Sequence, residues 1–104
     1  MNNIRRKKIS KLIRTLELLN GNYSKEVLNQ CKGVLEDIKN EEEESFDNMP
    51  EGLQYSQQGM DSEDAIENLE EALLYFEEAC EMGNAEDQET SIDMAIDCLK
   101  DAAG

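Results

Sequence analysis

Apolar residues along this chain recur at steps of three and four, in four separate runs. The first holds Ile4, Ile9, Leu12, Ile13, Leu16 and Leu19. The second holds Val27, Leu28, Cys31, Val34, Leu35 and Ile38. The third holds Ala65, Ile66, Leu69, Ala72, Leu73, Phe76, Ala79 and Cys80, and the fourth Ile92, Ala95, Ile96, Leu99, Ala102 and Ala103. This spacing places each set on one side of an α-helix. It predicts helices over 4–19, 24–45, 61–82 and 85–102.

The breaks between runs have local causes. Asn2 or Asn3 is placed to cap the first helix, and Ser24 the second. Asn20-Gly21-Asn22 and Gly83-Asn84 interrupt the pattern, since Gly and Asn tolerate the left-handed backbone that ends helices. Gly33 costs the second helix about 1 kcal/mol against Ala without stopping it. Residues 46–60 form a connector without helical periodicity. Pro50 disfavours helix at Met49, and Gly52 and Gly59 read as turn residues. A short helical turn is expected over 50–54, because Pro suits a helix start. Phe46, Met49, Leu53 and Tyr55 are expected to pack back as a cap.

The second and third helices match in length, and so do the two breaks. The chain therefore reads as a single all-α domain over 1–104. It is either an antiparallel helical hairpin with both arms broken at one level or a compact four-helix bundle. In both, the first helix lies near the fourth, and its bases are expected to meet Asp93, Asp97 and Asp101. A two-helix arm hides only part of its stripe, which leaves room for a homodimer.

Charge sharpens the picture. The net charge of the 104 residues is −15. Residues 1–14 carry Arg5, Arg6, Lys7, Lys8, Lys11 and Arg14 and no acid, whereas Lys100 is the single base after residue 40. The third helix carries Asp61, Glu63, Asp64, Glu67, Glu70, Glu71, Glu77, Glu78 and Glu81 without one Lys or Arg of its own. That is one negative charge per roughly 3.7 Å of helix, near the roughly 3.4 Å per phosphate of a DNA strand. Like charges at i,i+4 cost about 0.2–0.5 kcal/mol each. A helix that keeps them either uses the field or is simply a solvated face. Such a field repels nucleic acid and favours a basic partner. The partner-binding candidates are Glu63, Glu67, Glu70, Glu71, Leu74, Tyr75, Glu77, Glu78 and Glu81, with Asp93 and Asp97. Leu74 falls among the acids, either as an anchor or as a boundary residue covered by a neighbouring helix.

Candidate chemistry is sparse. The chain has no histidine, so Ser-His-Asp, Cys-His and Glu-x-x-His sites are excluded. Phosphate-cradling glycine motifs are missing. Asp47-Asn48-Met49-Pro50-Glu51-Gly52 lacks the alternating acids and closing Glu of a calcium loop. Glu77-Glu78-Ala79-Cys80-Glu81 resembles the EExxE element of the all-α nucleoside triphosphate pyrophosphohydrolases, which hold Mg²⁺ on paired helices, but no ExxD follows. Cys31, Cys80 and Cys98 form an odd set without CxxC and read as small buried hydrophobes in a reducing compartment. No apolar run spans a membrane, and the basic start is not followed by a signal-type segment. No cofactor or metal is expected, and a bacterial cytoplasmic location is.

Glu41 to Glu44, Phe46, Asn48, Met49, Pro50, Glu51, Leu53, Gln54, Ser56 and Gly59, followed by Ala65 to Glu71, resemble a recognisable group. It comprises small acidic helical proteins encoded by phages and mobile elements of Gram-positive bacteria. This chain departs from that pattern with extra residues around 21–24 and 83–90, which argues against a simple unbroken hairpin. The resemblance implies a phage origin and, by likeness of composition, counter-defence activity. The leading expectation is a non-enzymatic, anti-CRISPR-like inhibitor. It would bind the basic, nucleic-acid-binding surface of a bacterial protein or ribonucleoprotein by mimicking phosphates. The alternatives are a helical dimerisation or adaptor protein of phage development and, third, the Mg²⁺-dependent pyrophosphohydrolase.

Overall fold

The computed structural model describes residues 2–19, 23–81 and 85–104 and contains five helices. They are α1 (Asn3–Leu19), α2 (Lys25–Asp47), α3 (Glu51–Gln54), α4 (Gln57–Glu81) and α5 (Ala85–Ala103). The breaks expected at 20–22 and 83–84 lie outside the described residues.

Side-chain capping starts the first two helices where the sequence predicts. The Arg5 backbone N–H donates to Asn2 Oδ1 at 2.9 Å, and the Val27 N–H to Ser24 Oγ at 3.2 Å. Each bond satisfies one of the free donors at a helix start.

Cross-helix contacts fix the directions. Lys8 meets Glu41, and Arg5 meets Glu42, so α1 runs antiparallel to α2. Lys32 meets Glu77 while Lys39 approaches Glu70, so α2 runs antiparallel to α4. The Gln88 amide donates to the Ala79 carbonyl at 3.0 Å, and Cys98 lies against Glu71, so α5 returns antiparallel to α4. Arg6 Nε donates to the Ala103 carbonyl at 3.0 Å, which closes the ring of helices between α1 and α5. The result is the compact four-helix bundle, 47 × 21 × 19 Å, with α1 and α4 on one diagonal and α2 and α5 on the other.

The core is one cluster fed by all four long helices: Ile9, Leu12 and Leu16; Leu28, Cys31, Leu35 and Ile38; Leu69, Ala72, Phe76 and Ala79; Ile92, Ala95, Ile96, Leu99 and Ala102. Ala65, Ala72 and Ala79 recur at sevens on α4, and Ala95 and Ala102 on α5. Small residues let two helix axes approach closely, and α4 with α5 is the most extensively packed pair.

The connector is shorter than its composition suggests. Phe46 ends inside α2, and α4 begins at Gln57, four residues before the predicted start. The helical turn over 50–54 forms, with Pro50 as its N-cap. The Gln54 side-chain amide donates to the Phe46 carbonyl at 3.1 Å and the Met49 carbonyl at 3.4 Å, closing the end of α2. Gly59 is not a turn residue. It is buried in the first turns of α4, where a Cβ would overlap the carbonyl oxygens of Leu53 and Gln54. Its lack of a side chain lets α3 lie against α4. The expected apolar cap is partial. Phe46 and Met49 are half-buried, but Leu53 is exposed and Tyr55 stands 79% exposed.

Candidate functional site

The acidic candidates lie where the helical pattern places them, on the outer surface of the α4–α5 pair. Glu63, Glu67, Glu70, Glu71, Glu77, Glu78 and Glu81 on α4 are all exposed, as are Asp93 and Asp97 on α5. The cause is local. Core-facing Ala65, Leu69, Ala72 and Phe76 occupy one side of α4, so residues two positions away along the helix face outward. Leu74 is 59% exposed and no neighbouring helix covers it. Tyr75 differs, being half-buried and packed against the core cluster. Leu74 alone of the two is an apolar projection within the charged face.

Two corrections concern the charges. The bases of α1 do not meet Asp93, Asp97 and Asp101. Among the described residues no ion pair joins them. Instead Lys8 Nζ lies 2.7 Å from Glu41, Arg5 Nε lies 2.6 Å from Glu42, and Arg6 binds the end of α5. The acids at the end of α2 lie opposite the start of α1, and this proximity decides the pairing. Second, the acidic row on α4 is partly met along its α2 edge. Lys32 lies 3.3 Å from Glu77, and Lys39 lies 3.9 Å from Glu70. Both lysines are themselves partly exposed, so each pair is worth about 0–1 kcal/mol and leaves most of the field intact. Among the described residues Glu63, Glu67, Glu71, Glu78, Glu81, Asp93 and Asp97 form no ion pair.

The bundle also contains a buried polar centre. Glu42, second of the four consecutive glutamates after Asn40, is only 1% exposed. Its carboxylate accepts from Arg5 Nε at 2.6 Å and from Ser62 Oγ at 2.8 Å, and Ser62 is buried as well. Burial by itself raises the Glu42 pKa. The Ser62 hydroxyl and nearby positive charge, the Arg5 guanidinium included, outweigh it and hold the carboxyl below the ordinary glutamate range. A spacing signal was present in each helix. Glu42 continues Leu28, Cys31, Leu35 and Ile38; Arg5 precedes Ile9, Leu12 and Leu16; Ser62 precedes Ala65 and Leu69. Each polar side chain sits on its helix's inward stripe, and the three stripes converge at one end of the bundle.

Depressions also mark the described surface. A groove of about 630 Å³ between α1 and α2 has Leu12, Cys31, Val34 and Ile38 on its floor and Lys8, Lys11, Asp37 and Glu41 at its rim. A second, of about 420 Å³, opens over Arg5 and Glu42. Cys31 is buried, and burial pushes its thiol pKa up; Cys98 is half-buried and raised by burial and then by Glu71. Neither thiol is activated as a nucleophile. Among the described residues no three His, Cys, Asp or Glu converge as a metal-binding group. No described helix is long and apolar enough to cross a membrane. The chain is matched by no family model, no curated protein and no solved structure.

Proposed function

We propose that this protein is a non-enzymatic inhibitor of phage type. Its acidic α4–α5 face would occupy a basic, nucleic-acid-binding surface on a bacterial defence complex such as a CRISPR effector. The observation that carries this reading is the set of exposed, unpaired carboxylates on two rigid, antiparallel, closely packed helices. Glu63, Glu67, Glu71, Glu78 and Glu81 form one row, and Asp93 and Asp97 lie on the adjoining helix. Fixed rows of this kind offer a cationic groove what a nucleic-acid backbone offers, without a base sequence to match. Leu74 supplies a small apolar contact inside the row.

The field has a kinetic consequence. Long-range attraction speeds encounter with a basic surface, and screening weakens it once the Debye length falls from about 8 Å at physiological salt to about 3 Å at 1 M. Changing Glu67, Glu70, Glu71, Glu77 and Glu78 to Lys inverts this face without touching the core. The assay is target-DNA binding by guide-loaded effectors from the bacterial host, with wild-type or reversed protein as competitor, at low and high salt. Salt-sensitive competition by the wild type, lost in the reversed variant, is the expected result. Equal competition by both proteins rejects the mimic.

A further inference from the structure

Among the described residues no other helix covers the outer side of α1. Opposite core-facing Ile9, Leu12 and Leu16 it carries Lys7, Lys11, Arg14 and Leu18, at steps of four, three and four. All four are exposed, Leu18 at 78%. Lys7, Lys11 and Arg14 form no ion pair among the described residues, unlike Arg5 and Lys8. On α4, Glu63, Glu67, Glu70 and Leu74 repeat the same steps with the opposite charge, and all four are exposed. Glu70 is reached by Lys39 only at 3.9 Å.

We propose that these two strips dock on one another between copies of this chain. Laid side by side in parallel, Lys7 meets Glu63, Lys11 meets Glu67, Arg14 meets Glu70, and Leu18 covers Leu74. A strip is three charges and one leucine, so contact at one end of the row fixes contact at the other. The occupant of the α1 face is thus a second copy, selected by charge and spacing together.

The bundle topology sets the form of the assembly. α1 and α4 are both antiparallel to α2, hence parallel to each other, and they sit on a diagonal with outer faces turned opposite ways. A copy docked through its α1 on the α4 of a neighbour keeps the same orientation and still offers a free strip on its far side. Such a contact is heterologous and does not close, so it builds open chains rather than a two-fold dimer. The net charge of −15 opposes association, but it is spread along a 47 Å body. At physiological salt only groups within about 8 Å of the contact decide the balance. The strip is far smaller than the roughly 1,000 Å² of a stable interface, so the chains are weak and concentration-dependent.

Sedimentation of the purified full chain from about 10 μM to 1 mM, at low and high salt, tests this. The mean mass should rise past the dimer without a plateau and fall with salt. Lys7→Glu, Lys11→Glu and Arg14→Glu together should weaken association at least about tenfold. Glu63→Lys, Glu67→Lys and Glu70→Lys together should do the same. These three changes take the net charge from −15 to −9, so bulk repulsion falls and a purely general charge effect predicts the opposite. Mixing the two variants restores opposite charges across each contact and should restore association. Circular dichroism checks that both stay folded; if either does not, the single pair Lys11→Glu and Glu67→Lys is used in the same mixing experiment. The α1 variant leaves the acidic face intact, so competition with DNA for an effector reports separately on the proposed function. A monomer at 1 mM, a mass that stops at two copies, or no recovery on mixing overturns the proposal. So does a duplex-DNA gel shift that depends on Lys7, Lys11 and Arg14 without self-association.

Discussion

Arg5→Ala strikes the buried polar centre of the bundle. Glu42 is 1% exposed and Arg5 11%, so their pair is screened little by water. Removing one partner of a buried pair costs about 3–5 kcal/mol, because the remaining charge is left without compensation. Ser62 still donates one hydrogen bond to Glu42, which places the loss near the lower bound, about 3 kcal/mol. At about 4–8 °C per kcal/mol for a domain of this size, the thermal midpoint should drop by roughly 12–24 °C. Thermal and urea melts followed by circular dichroism measure it. The triple change Arg5→Met, Glu42→Leu and Ser62→Ala removes the charges and the hydroxyl together and should melt near the wild type or above it. The pH dependence has a definite sign. A carboxyl held below its ordinary pKa adds stability above about pH 4.3 and loses it as pH falls through the lower folded value. The gap between wild type and Arg5→Ala is therefore full at pH 7 and closes toward acid. A loss under about 0.5 kcal/mol at pH 7, or a triple variant as unstable as Arg5→Ala, refutes the account of an uncompensated buried charge.

Two glycines should respond with opposite signs. Gly33 is exposed in the middle of α2 with open space where a Cβ would go, so Gly33→Ala should raise stability by about 0.5–1 kcal/mol in the same melts. Gly59 lies against the α3 backbone, so Gly59→Ala should lower stability by about 1–3 kcal/mol, although alanine is the better helix former. If Gly59→Ala melts at or above the wild-type temperature, α3 does not pack as described.

Periodicity and caps were enough to determine four helices, their inward faces and the outward display of the acidic row. These are local properties: side-chain spacing at 3.6 residues per turn and a capping hydroxyl need no distant partner to be read. Pro50 and the spacing around it located the turn that became α3. The tertiary structure decided what local pattern left open. The sequence allowed a broken hairpin or a bundle, and the antiparallel contacts of α1 with α2 and of α4 with α5 selected the bundle. The expected closeness of the first and fourth helices pointed the bases of α1 toward Asp93, Asp97 and Asp101. Glu41 and Glu42 took them, because ion pairing falls off over a few ångströms and depends on which ends are brought together. The four consecutive acids 41–44 look alike in the sequence, yet Glu42 continues the inward stripe of Leu35 and Ile38 and is buried. Arg5 and Ser62, from two other helices, arrive at the same place and help make its burial tolerable, and that convergence exists only in the assembled fold.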